Sequence, residues 1–264
     1  TEALFIKCPL FKRIFCFMEQ VKYVFSIGCS YTGGTGLDLK THKTERFSYK
    51  LSQRLDAHLD INQAMGGGSN QRIFRKVIDW VSNNPQTLKD TLFLVQWTYA
   101  GRNELWYCGP TPNEKGEIEF YPDMSWDGAW YNSHYGHDGY TDWDKLRDDG
   151  NEMNPFYLPP VHILSDILCR YIISLQNIFQ NNNCKYIMFQ GHMARHDDGS
   201  DVVGEINFKS KLGRYIDKTN WITEYGLRDY CSLSNNLTEC EHADLKGHEN
   251  WTDILYSKYE ELYL

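Results

Sequence analysis

The chain has 264 residues, 41% of them hydrophobic and 15% aromatic, enough apolar side chain for the core of one domain. Its 27 Lys and Arg against 35 Asp and Glu leave a formal charge of −8 with no long basic run, which excludes a general attraction to nucleic acid or to an anionic membrane. The eight cysteines are scattered from Cys8 to Cys240 without a CxxC pair, so they read as free thiols of a reducing, cytoplasmic environment and not as a zinc or dithiol site.

Residues 1–17 mix apolar side chains with Lys7, Lys12 and Arg13. They lack an uninterrupted apolar core and a small-residue cleavage site, and so read as an extension ahead of a single domain over 18–264. No stretch reaches the roughly twenty apolar residues of a membrane span.

Tyr23 to Ile27 predicts a buried strand of a parallel sheet, ended by Gly28. Cys29, Ser30, Tyr31 and Thr32 follow, then Gly33, Gly34 and Gly36, a spacing that fits neither the dinucleotide nor the P-loop pattern. Ser30 would stand at a strand's carboxyl end, where an open α/β sheet gathers its chemistry. Two readings of it stand side by side, a hydroxyl nucleophile and a cap for the next helix. Phe47, Leu51 and Leu55 recur at helical spacing, and His58 to Met65 predicts a second strand running into Gly66, Gly67 and Gly68. Ser69 or Asn70 can cap a helix from about Gln71, whose apolar face is Ile73, Val77, Ile78 and Val81. Thr91 to Trp97 is a third strand, and the β-α-β-α-β order argues for a parallel sheet covered by helices on both faces.

From Leu105 to Pro160 the regularity disappears in favour of Trp, Tyr, Gly, Asp and Pro. The segment predicts a long structureless insertion, either a lid or wall rich in rings that suit sugar faces, or a satellite core. His134, His137, Asp138, Asp142 and Asp144 match no defined metal spacing, and no metal or other cofactor is expected. A long helix resumes from Ile163 to Phe179, and Lys185 to Gln190 predicts a fourth strand ending at Gly191 and His192. His192, with His196 and Asp197, either lines a site or is a loop histidine bonded to backbone. Residues 205–230 predict a broken helix, and Trp251, Leu255, Tyr259 and Leu262 a terminal one.

Acyl transfer by a serine needs a base, a group to orient that base, and donors for an oxyanion. Glu239 stands three residues before His242. Gly67 can offer a backbone N–H at the tip of the second strand, and Asn103 a side-chain amide beyond the third.

These stretches resemble the blocks of the SGNH or GDSL hydrolases. GCSYT, Gly28 to Thr32, is similar to the GDSxT block, which makes Ser30 the nucleophile and, through its N–H, one oxyanion donor. NQAMGGGSN, Asn62 to Asn70, resembles the second block and gives Gly67 the oxyanion role. ECEHADLKGHENW, Glu239 to Trp251, resembles the last block, with His242 as base, Glu239 as acid, and His248 at the start of the final helix. The resemblance covers Val21 to about Asn103 and Glu239 to the end, with three departures. Cys29 replaces the Asp of GDS; the acid is Glu, so Glu241 or Asp244 could serve instead; and Gly101, Arg102, Asn103 and Glu104 imitate the third block several residues late, which leaves Thr98 or Arg102 as substitutes. The resemblance implies a flavodoxin-like α/β/α sandwich and a serine esterase acting through an acyl-Ser30 intermediate on a small-molecule or glycan ester, such as an O-acetyl group. Compact domains with GCS in place of GDS resemble those of tailed phages and bacteria. A non-catalytic binding or structural module of the same fold, and a metal-dependent enzyme built on His192, His196 and the His and Asp residues of the insertion, are the alternatives.

Overall fold

The computed structural model describes residues 20–99, 103–107, 111–112, 118–119, 129–133, 161–192, 206 and 208–264. The 1–17 extension lies outside them. In chain order the elements are β1 (Tyr23–Ile27), the short α1 (Ser30–Gly33) and α2 (His42–Glu45), α3 (Phe47–Arg54), β2 (Leu59–Asn62), α4 (Asn70–Asn83) and β3 (Thr91–Trp97). Then come β4 (Asn103–Tyr107), β5 (Thr111–Pro112), β6 (Ile118–Glu119), β7 (Ala129–Ser133), α5 (Val161–Asn181), β8 (Lys185–Gln190), α6 (Leu227–Leu233) and α7 (Leu245–Tyr263).

β2, β1, β3 and β8 form, in that order, one parallel sheet. Its strands are continuous apolar runs because both faces are covered, and the strand period of two divides each run between two cores. Phe25, Ile27, Phe93, Val95, Trp97, Tyr186 and Met188 meet Ile73 and Val77 of α4 and Leu168, Ile172 and Phe179 of α5. Val24, Leu92, Leu94, Ile187 and Phe189 meet Phe47 and Leu51 of α3 and Trp251, Leu255 and Tyr259 of α7. The result is the expected three-layer α/β/α sandwich. The strand order reverses between β1 and β3, the place where the carboxyl ends of an open sheet leave a crevice.

Three expectations are corrected. The second strand is only Leu59–Asn62: the N–H groups of Gln63 and Met65 still donate to the carbonyls of Ser26 and Gly28, and the chain then turns at 66–67. Residues 205–230 are not a broken helix: the described part holds a 3-10 turn at Gly213–Tyr215, and α6 begins only at Leu227. Unpaired groups of the β8 edge capture this segment, Met188 N–H donating to the Asn220 carbonyl at 2.8 Å and Ile222 N–H to the Met188 carbonyl at 3.0 Å. Gln176 of α5 holds Asp217 by both its N–H and its carbonyl. Finally, the 105–160 stretch is not wholly structureless, since β4 pairs antiparallel with β7 and β5 with β6. Trp106 lies opposite Trp130 and Leu105 opposite Tyr131 in that register, so residues typical of strands had been outweighed by the surrounding Gly, Asp and Pro.

His248 sits in the first turn of α7 with no exposed surface. Its Nδ1 accepts the Phe47 N–H at 3.3 Å, satisfying a donor that the start of α3 leaves over, and its ring stacks on Phe47. Burial, helped by repulsion from Lys50, His242 and Arg46, holds its pKa down to about 4 from the usual 6.5. Below pH 6.5 the unfolded chain therefore binds a proton here that the folded chain refuses. Stability should be full above that pH and fall by roughly 3 kcal/mol as the pH drops towards 4. Urea unfolding at a series of pH values should show this loss for the wild type, and a flatter curve over the same window for His248→Asn.

Candidate active site

The turn after β1 is built around one buried amide. Gln96, near the end of β3, has no exposed surface. Its Oε1 accepts the Thr32 hydroxyl at 2.7 Å and the Cys29 N–H at 3.3 Å, while its Nε2 donates to Cys29 Sγ at 3.1 Å and to the Trp97 carbonyl at 3.2 Å. The strand ends on either side must be bare to admit it. A Cβ on Gly28 would stand 2.6 Å from Oε1, and one on Gly191 would stand 2.2 Å from Nε2. Cys29 is thus a buried thiol set against this amide. Ser30, held next to it, opens α1.

His242 arrives from the other end of the chain, and its Nε2 lies 2.8 Å from Ser30 Oγ. Its Nδ1 lies 2.8 Å from the Cys240 carbonyl. A carbonyl can only accept, so Nδ1 carries the proton and Nε2 is left as the acceptor facing the serine hydroxyl. The turn itself is closed by Thr238 N–H donating to the His242 carbonyl at 2.8 Å, which brings the Cys240 carbonyl beneath the ring. Tyr31 covers the imidazole at 4.8 Å between ring centroids.

The expected carboxylate is elsewhere. Glu239 is exposed and makes no hydrogen bond among the described residues, so Nδ1 belongs to the main chain and not to the acid three residues earlier. Neither alternative reaches it: Glu241 pairs with Arg228, and Asp244 caps α7 by accepting the Gly247 N–H at 2.7 Å.

For an oxyanion the structure offers the first and second turns together. Met65 N–H donates to the Gly28 carbonyl at 3.2 Å, so the Gly67 turn, with Gly67 at φ 70°, is stitched to the serine turn. The N–H groups of Ser30 and Gly67 donate to no acceptor among the described residues. Thr98 follows β3 directly, but its N–H and carbonyl are both taken by the buried amide of Asn70, at 2.9 and 3.0 Å. Asn103 opens β4 opposite Ser133 in register. Arg102 lies outside the described residues, as do His134, His137, Asp138, Asp142, Asp144, His196 and Asp197. His192 Nε2 accepts from Arg228, and its ring lies beside Tyr99.

Sequence reasoning missed Gln96, Asn70 as a bracket, Arg228 and the Cys240 carbonyl. Only Gln96 had a signal, as the one amide inside an otherwise apolar strand of TLFLVQW. Removing it by Gln96→Leu strands the Cys29 N–H and the Thr32 hydroxyl in a dry interior, and should cost roughly 3 kcal/mol in urea unfolding.

Similar folds occur among solved structures. They include the psychrotrophic esterase EstA from Pseudoalteromonas sp. (13% identity, TM-score 0.43, covering 91% of this chain and 97% of that one). A member of the lipolytic G-D-S-L family from Veillonella parvula matches with the same identity, score and coverage. The acetyl xylan esterase Est2A of Butyrivibrio proteoclasticus matches at 13% identity and TM-score 0.42, covering 91% of this chain and 64% of that one. No curated protein matches in sequence. The model of one family matches residues 37–253, a span that holds Gly67, Asn70, Gln96, Arg228 and His242 and begins after Ser30. The chain belongs to that family, described as the family of unknown function DUF6071.

Proposed function

We propose that this protein is a serine ester hydrolase working through a Ser30 and His242 dyad. The observation that carries this reading is the 2.8 Å contact from Ser30 Oγ to an imidazole nitrogen 212 residues away, with the other nitrogen already fixed as the proton carrier. In the reaction, Ser30 Oγ attacks the ester carbonyl carbon as its proton passes to His242 Nε2. The negative charge that develops on the carbonyl oxygen is taken by the N–H groups of Ser30 and Gly67. The tetrahedral intermediate expels the alcohol, which leaves with the proton from Nε2, and water repeats the sequence on the acyl-Ser30 ester. The Cys240 carbonyl holds the imidazole in the right tautomer and stabilises the imidazolium in place of a carboxylate. A small acyl group on a carbohydrate is the substrate this reading favours, supported by the density of Trp and Tyr in the segment that carries β4 to β7.

That Nδ1 meets a carbonyl, with no carboxylate on it among the described residues, favours a second reading, a glycan-binding module that keeps the fold without turnover. A fluorophosphonate probe separates the two, since a working dyad labels Ser30 and an idle one does not. On a short-chain chromogenic ester, Ser30→Ala should lower kcat by at least about a thousandfold. Glu239→Gln should stay within about threefold of the wild type, whereas loss of a true triad acid costs about four orders of magnitude.

A further inference from the structure

The turn that carries His242 is strained at one residue. Glu241 has φ 61°, a left-handed conformation that an L residue other than glycine enters at a cost. It stands between Cys240, whose carbonyl holds Nδ1, and His242 itself. Arg228 grips it from outside the turn, with Nη2 2.5 Å from Glu241 Oε2. Arg228 is in turn fixed to the sheet: its backbone N–H donates to the Gly191 carbonyl at 2.9 Å, and its Nη1 donates to His192 Nε2. A line of polar contacts therefore runs from the carboxyl end of β8 to the residue beside the base. The Glu241 side chain is 69% exposed, and an ion pair so open to water adds little to global stability. What the pair can set is the local shape of the turn.

We propose that Arg228 is a positioning residue of the dyad. By holding Glu241 in its left-handed conformation, it keeps the Cys240 carbonyl under Nδ1 and so aims Nε2 at Ser30. This rests on the hydrolase reading above. Arg228→Gln and Glu241→Gln should each lower kcat and the rate of fluorophosphonate labelling by about tenfold with KM unchanged, as expected when a reacting group is misplaced without touching substrate. The double variant should be no slower than either single one, because both remove the same contact. Arg228→Lys should recover part of the loss. Glu241→Gly, which loses the ion pair but accepts the left-handed backbone, should be clearly faster than Glu241→Gln. Losses that multiply in the double variant, a rise in KM alone, or equal rates for Glu241→Gly and Glu241→Gln would overturn the proposal. Glu241 is at the surface, so its variants test the idea even where Arg228→Gln does not fold. If wild-type Ser30 takes no label, the hydrolase reading falls and this one with it; if it takes label at a rate indifferent to these substitutions, only this one falls.

Discussion

A single side-chain amide at the end of β3 ties the turn after β1 to the sheet, beside the bare backbone that follows β8. Where parallel strands stop, their last N–H and carbonyl groups lose ladder partners while still shielded from water, and each group left unpaired there is costly. Gln96 answers with two acceptor and two donor contacts, to Cys29, Thr32 and Trp97. It fits only because Gly28 and Gly191 present bare backbone on either side. The serine turn is therefore set from beneath, by the sheet, before anything approaches it from above. This also accounts for Cys29: a thiol accepts weakly and suits an amide neighbour, where a carboxylate would place a charge inside an uncharged pocket.

The second and third turns are held in a related way. Asn70 spans from the start of α4 to Thr98 and Tyr99, and Ser69 caps the same helix by accepting the Arg72 N–H. The second turn is held as well by Arg72, whose Nη1 donates to the Gln63 carbonyl at 2.8 Å. The base turn differs in placing a residue other than glycine, Glu241, in the left-handed region and in pairing it with Arg228.

Much of this was legible from the residues in order. The strands Thr91–Trp97 and Lys185–Gln190 could be read to the residue, because apolar runs bounded by Asp90, Thr98, Cys184 and Gly191 leave little freedom. Ser30 and His242 were legible because short blocks around each carry a pattern, and the fold brings those blocks together. What could not be read depends on main-chain atoms or on contacts across long separations. The Cys240 carbonyl has no signature in a string of side chains, and a Glu three positions before a His invites the assumption that the carboxylate is the partner. The segment 213–226 failed for another reason: its own preferences matter less than the open edge of β8 that it covers.

The orienting atom beneath His242 belongs to the peptide backbone, so every amino acid at position 240 would supply the same oxygen. A scan that exchanges side chains one by one would pass over this contact in silence. What this corner of the protein is sensitive to is length: adding or deleting one residue between Thr238 and His242 would carry that oxygen away from the ring while leaving every recognisable motif intact.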